Sequence, residues 1–104
     1  MDYRNVREAI KEAILDVDEG ADMIIVKPAM SYLDVLKSVK EKIFVPVGAY
    51  SVSGEYSMIK AASANGWLNE KNIVIESAYS MARAGADIII SYYSLELAEW
   101  ISIL

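Results

Sequence analysis

The chain contains no cysteine and no histidine. These absences exclude disulfides, thiol nucleophiles, imidazole acid–base chemistry and soft zinc sites. Any metal held here is expected to be a hard cation bound through carboxylates and water, Mg²⁺ before a transition ion. Basic residues are also scarce: 10 Lys and Arg stand against 15 Asp and Glu, so the net charge is -5 and there is no electrostatic footprint for nucleic acid or an anionic membrane surface. No apolar run is long enough to span a bilayer. The opening residues are charged and patterned as a helix, unlike the basic region and apolar core of a signal peptide, and a cytoplasmic location is the expectation. Linkers and low-complexity tracts are missing too, so residues 1–104 read as a single domain.

What the chain does have is apolar material: 55% of its residues are hydrophobic and 24% charged, enough to build one globular core. Val6, Ile10, Ile14 and Val17 recur at helical spacing and predict a first helix that ends at Gly20. The segment Ala21-Asp22 then leads into the apolar run Met23-Ile24-Ile25-Val26, and the same device returns as Ala84-Gly85-Ala86-Asp87 before Ile88-Ile89-Ile90. Ser31 and Asp34 have the spacing of a capping box for a second helix over residues 31–42. A second strand is expected over residues 45–50 and a third helix over residues 53–64, closed by Gly66. Asn69 caps a fourth helix whose inward residues are Ile73, Val74, Ala78 and Met81. A last helix follows Ser94. Helices alternating with apolar strands imply right-handed crossovers and a parallel α/β sheet, here of three strands buried on both faces. Three strands cannot close a barrel, so the piece reads as a segment of a larger fold or as one that pairs with another copy.

Chemistry is expected at the carboxyl ends of such strands. Lys27 ends the first, where Pro28 stops the ladder for want of an N–H. A partly desolvated amine there is a candidate Schiff-base nucleophile, because burial favours the neutral form that attacks a ketone. A lysine with a buried stem and a solvated head suits the same position. Residues 50–53 and 91–93 emerge at the same rim, placing hydroxyls and a helix N-terminus near the amine, an arrangement suited to a small keto acid. Ser53 can bind a carboxylate or simply cap its helix. Tyr92 and Tyr93 should point to opposite faces, and spacing does not choose between them. Glu12, Asp16, Asp18 and Glu19 can hold Mg²⁺ or form an exposed helix face.

Three motifs in order carry a family resemblance over essentially the whole chain. Met23-Ile24-Ile25-Val26-Lys27-Pro28-Ala29 with Tyr32-Leu33-Asp34, then Gly48-Ala49-Tyr50-Ser51-Val52-Ser53-Gly54-Glu55-Tyr56, then Ala84-Gly85-Ala86-Asp87-Ile88-Ile89-Ile90-Ser91-Tyr92-Tyr93 resemble the C-terminal third of the 5-aminolaevulinate dehydratases, or porphobilinogen synthases. The resemblance implies a segment of a (β/α)₈ TIM barrel. It further implies condensation of two 5-aminolaevulinate molecules to porphobilinogen, a step towards haem and other tetrapyrroles. By the same likeness Lys27 matches the Schiff-base lysine, and Ser53 and Tyr92 match residues that hold that substrate's carboxylate. Glu12 matches a position that in some members binds an allosteric Mg²⁺ through its water shell. Family members form homo-oligomers, typically octamers.

The family's second active-site lysine, the arginines and glutamine for the other substrate and the zinc-binding cysteines of many members have no counterpart here. Lys60 and Lys71 match neither missing role. The opening residues 1–5 resemble an internal stretch of such an enzyme. The 104-residue chain alone is therefore expected to turn over little or no substrate. A non-catalytic, self-associating barrel fragment and a different Schiff-base enzyme of the aldolase kind are the competing readings.

Overall fold

Helix α1 (Val6–Asp18) begins where the Asn5 side chain accepts hydrogen bonds from the Arg7 and Glu8 N–H groups, at 3.1 and 3.4 Å. The computed structural model describes residues 4–102, so residues 1–3 of the opening read above lie outside the described residues. The buried positions of α1 are Ala9 and Ala13, whereas Ile14 is 40% exposed and Val6, Ile10 and Val17 pack from the side. The expected stripe is thus rotated: small alanines face the neighbouring helix α2 (Leu33–Lys40) and larger side chains flank the contact. Gly20 follows at φ +105°, a left-handed conformation that disfavours a Cβ, and the Ala21 N–H bonds back to Asp16 at 3.0 Å.

Three short strands, β1 (Ile24–Val26), β2 (Val47–Ser51) and β3 (Ile88–Ser91), form one parallel sheet in the order β1-β2-β3. Val26 is level with Ala49, Tyr50 with Ile90, and Ser51 with Ser91. The second strand starts two residues later than expected because Pro46 has no N–H to give a ladder; its carbonyl instead accepts from the Ile24 N–H at 3.0 Å. Asp87 fixes the entry to β3, where its carboxylate accepts from the Val47 N–H at 2.9 Å and pairs with Lys40 at 2.6 Å. Both contacts favour the charged form, first the lysine and then the backbone N–H, and hold the Asp87 carboxyl below its ordinary value.

The expected capping box at Ser31 does not form. Residues Met30–Tyr32 make a 3₁₀ turn closed by the Tyr32 N–H on the Ala29 carbonyl, which places Ser31 inside the turn. Helix α2 then starts after Tyr32 without a side-chain cap. Helix α3 (Ser53–Ala64) and helix α4 (Glu70–Ala84) follow β2, and Asn69 caps α4 through the Asn72 N–H at 2.9 Å as expected. Gly85 ends α4 at φ +117°, and α5 (Ser94–Ser102) packs back on α4.

One face of the sheet carries the core. Val26, Val47 and Ala49 pack with Leu36, Val39, Ala13 and Met81, and a second cluster joins Val74, Ala78, Tyr93 and Leu97. The opposite face is open, with Ile25, Ile88 and Ile90 at 46%, 43% and 36% exposure. Burial on both faces, expected from the unbroken apolar strands, is therefore not present. The core therefore lies on one face of the three-stranded sheet, and the apolar side chains of the other face stay exposed among the described residues.

Candidate functional site

Lys27 is the first residue after β1, and the strand register puts it level with Tyr50 near the end of β2 and with Ile90 on β3. Ser53 opens α3 just beyond β2, and Tyr92 follows β3. The parallel sheet thus delivers all three to the same rim. Lys27 is exposed, contrary to the partial burial expected of it, because an open three-stranded sheet supplies no interior wall. The Lys27–Pro28 peptide bond is cis.

Ser53 does not cap α3. The cap position is Val52, in extended geometry, and its N–H is taken at 3.1 Å by the carboxylate of Glu55, which reaches back from the first turn. The Ser53 hydroxyl is left exposed at the helix N-terminus. Glu55 is itself only 6% exposed and also receives the Ala29 and Met30 N–H groups at 3.1 and 2.8 Å. One carboxylate therefore joins the segment after Lys27 to the turn before Ser53. Nothing in the sequence reading singled out Glu55; the available signal was a glutamate in the first turn of a helix that lacks a side-chain cap.

The two tyrosines lie in the turn after β3 and both rings pack on Tyr56, with centroids 5.2 and 5.0 Å away, but they differ in burial. Tyr93 is 3% exposed, and its hydroxyl donates to Glu70 at 2.8 Å. Burial and then the neighbouring carboxylate push its phenol well above the ordinary value. Tyr92 is half exposed at the rim, with its ring centroid 5.2 Å from that of Tyr56. A hydrogen bond with Tyr50 raises the Tyr92 phenol. Lys60 lies 5.7 and 5.4 Å from the centroids of Tyr56 and Tyr93 and pairs with Glu70 at 2.8 Å. That contact raises the lysine and lowers the glutamate, so Lys60 serves the wall behind the tyrosines.

A model of the delta-aminolevulinic acid dehydratase family matches residues 1–100 of the chain. This chain belongs to that family. The delta-aminolevulinic acid dehydratase of Halalkalibacterium halodurans is 56% identical over 102 residues, which cover 98% of this chain and 31% of the relative. The Archaeoglobus fulgidus protein of the same name is 59% identical over 99 residues, 95% of this chain and 30% of its own. A solved structure of delta-aminolevulinic acid dehydratase (porphobilinogen synthase) from Toxoplasma gondii, in complex with the reaction product porphobilinogen, superposes with a TM-score of 0.93 at 52% identity. That match covers 96% of this chain and 28% of the other. The chain spans about a third of the length of the relatives it matches. Its fold is the α/β fold of a C-terminal segment of the family's TIM barrel.

Within this delta-aminolevulinic acid dehydratase segment, a groove of about 190 Å³ runs along the free edge of β1. Lys27 lines it together with Glu12, Asp16 and Tyr32, while Ser53 and Tyr92 lie outside it. Glu12 and Asp16 are exposed and one helical turn apart. Among the described residues, no three His, Cys, Asp or Glu side chains gather to hold a metal ion. Glu12 and Asp16 are the carboxylates that line the groove beside Lys27. No helix among the described residues is long and apolar enough to cross a membrane.

Proposed function

We propose that this chain carries the Schiff-base half-site of a porphobilinogen synthase, a lyase that condenses two 5-aminolaevulinate molecules in tetrapyrrole synthesis. The observation that carries this reading is the common rim shared by Lys27, Ser53 and Tyr92, in a fold that superposes at a TM-score of 0.93 on a porphobilinogen-bound relative. Lys27 in its neutral form adds through Nζ to the substrate ketone, and the resulting carbinolamine loses water to leave an imine. The Ser53 hydroxyl, the exposed N-terminus of α3 and the Tyr92 phenol hold the carboxylate at the other end of the keto acid. Tyr50 supports Tyr92 through their shared hydrogen bond.

The isolated chain makes no porphobilinogen in this reading, because condensation needs a second substrate oriented against the first. Glu12, with Asp16 beside it, contacts a hydrated Mg²⁺, and the assembled enzyme is a cytoplasmic homo-oligomer. A titration with 5-aminolaevulinate, followed by backbone amide NMR shifts, tests the half-site. Changes centred on Lys27, Ser53 and Tyr92 are expected; changes confined to other regions would overturn it. Adding Mg²⁺ separately is expected to move Glu12 and Asp16, and their silence would remove the metal from the account.

The open face favours a second reading. Ile25, Ile88 and Ile90 form an apolar strip on the uncovered side of the sheet, suited to burial against another copy. Light scattering across a concentration series tests such self-association, and a monomer throughout would refute it.

A further inference from the structure

Glu55 is a carboxylate buried to 6% exposure, and it makes no ion pair among the described residues. A group so placed persists only when its oxygens are fully engaged. Oε1 accepts from the Ala29 and Val52 N–H groups, each at 3.1 Å, and Oε2 accepts from Met30 at 2.8 Å. Every partner donates, which is the pattern of a carboxylate and not of an amide. The Ala29 N–H is shared with the Tyr50 carbonyl at 3.0 Å, so the same loop is tied to β2 at a second point. Met30 and Val52 have Glu55 as their acceptor, one on the chain leaving Lys27 and the other on the chain entering Ser53.

We propose that Glu55 is a positioning residue that sets the spacing between the Lys27 amine and the carboxylate-binding group at Ser53. The loop after β1 and the turn after β2 are separate segments with short connections, and this carboxylate bridges them from within. A keto acid held at both ends tolerates little error in that spacing, so loosening the bridge weakens two-point binding of the substrate without removing a group that touches it. The inference rests on the reading of Lys27 and Ser53 given above.

Hydrogen exchange of the isotope-labelled 104-residue chain, resolved by NMR, reads the bridge directly. In the unsubstituted protein the Met30 and Val52 amides are expected to exchange more than about tenfold slower than in an unstructured peptide. In Glu55→Gln the carbonyl oxygen keeps the Ala29 and Val52 donors and the NH₂ turns to Met30, a donor facing a donor. Met30 is then expected to lose about tenfold or more of its protection while Val52 keeps most of its own. Met30 and Val52 exchanging freely in the unsubstituted protein would overturn the proposal, and this result needs no variant to fold. Borohydride trapping supplies the functional arm. Glu55→Gln is expected to raise the 5-aminolaevulinate concentration for half-maximal labelling of Lys27 severalfold, with part of the loss recovered in Glu55→Asp. An unchanged half-saturation, with labelling reduced only in proportion to unfolded protein, would assign Glu55 a structural role and reject positioning. No labelling of the unsubstituted protein would reject the Schiff-base reading of Lys27, and the exchange data would still decide whether Glu55 bridges the two loops.

Discussion

Leu36→Ala and Ile25→Ala remove similar amounts of side chain from opposite sides of the sheet, and their contrast tests which face holds the protein together. Leu36 is 0% exposed on α2, whereas Ile25 on β1 is 46% exposed. Truncating Leu36 deletes about three buried carbon groups at about 0.8 kcal/mol each, roughly 2.4 kcal/mol of transfer free energy. The cavity left among Val39, Val47 and Ala13 raises the expected loss to about 3–4 kcal/mol. For Ile25 about half of the corresponding area is already in water, so the loss is about 1 kcal/mol. Urea unfolding of both variants at equal protein concentration gives the comparison through the midpoints, with unchanged slopes confirming that the same transition is observed. Equal losses for the two variants would refute the one-sided core. A larger loss for Ile25→Ala that grew with protein concentration would show the open face buried between copies.

The ionisable contacts give the stability a defined pH dependence. Asp87 and Glu70 are held below their ordinary values by Lys40 and Lys60, so their contributions are present above the ordinary carboxylate range and are lost as pH falls through the lowered values. Asp87→Asn is expected to flatten the acid limb of a melting-temperature profile, and an unaltered limb would contradict this assignment. Tyr93 and Lys60 are raised, so the stability they contribute is present below their ordinary values of 10.0 and 10.5 and declines as pH rises beyond them. Tyr93→Phe should weaken the alkaline decline, as followed by circular dichroism. Gly20→Ala is expected to cost about 1–2 kcal/mol from its left-handed backbone alone. Gly85→Ala should cost more, because its new Cβ would also lie 2.9 Å from the Lys40 side chain; equal midpoints in urea would contradict that.

The order of helices and strands was legible because each element has its own period and stop. Gly20 and Gly85 end helices in left-handed geometry, Asn69 caps α4, and Pro46 displaces the start of β2. The failures came where a local pattern met tertiary context. Ser31 and Asp34 have capping spacing, but a 3₁₀ turn occupies that stretch. The large apolar residues of α1 have helical spacing, yet alanines take the contact because α1 sits close to α2. The unbroken apolar strands suggested burial on both faces, and composition alone could not tell that one face would have no partner among the described residues. The placement of Lys27, Ser53 and Tyr92 at one rim was legible from the strand ends. Glu55 was not, since its importance lies in donors from residues 25 and 26 positions earlier in the chain, a separation that no local window spans.

The proposed imine between Lys27 and 5-aminolaevulinate is the step on which the reading of this rim depends. Borohydride added to the chain in the presence of that compound, followed by intact mass and peptide mapping, tests it most directly. A single reduced adduct on Lys27, with Lys60 and Lys71 unmodified, is the expected result. A folded protein that gives no adduct, or one labelled equally on its exposed lysines, would contradict it.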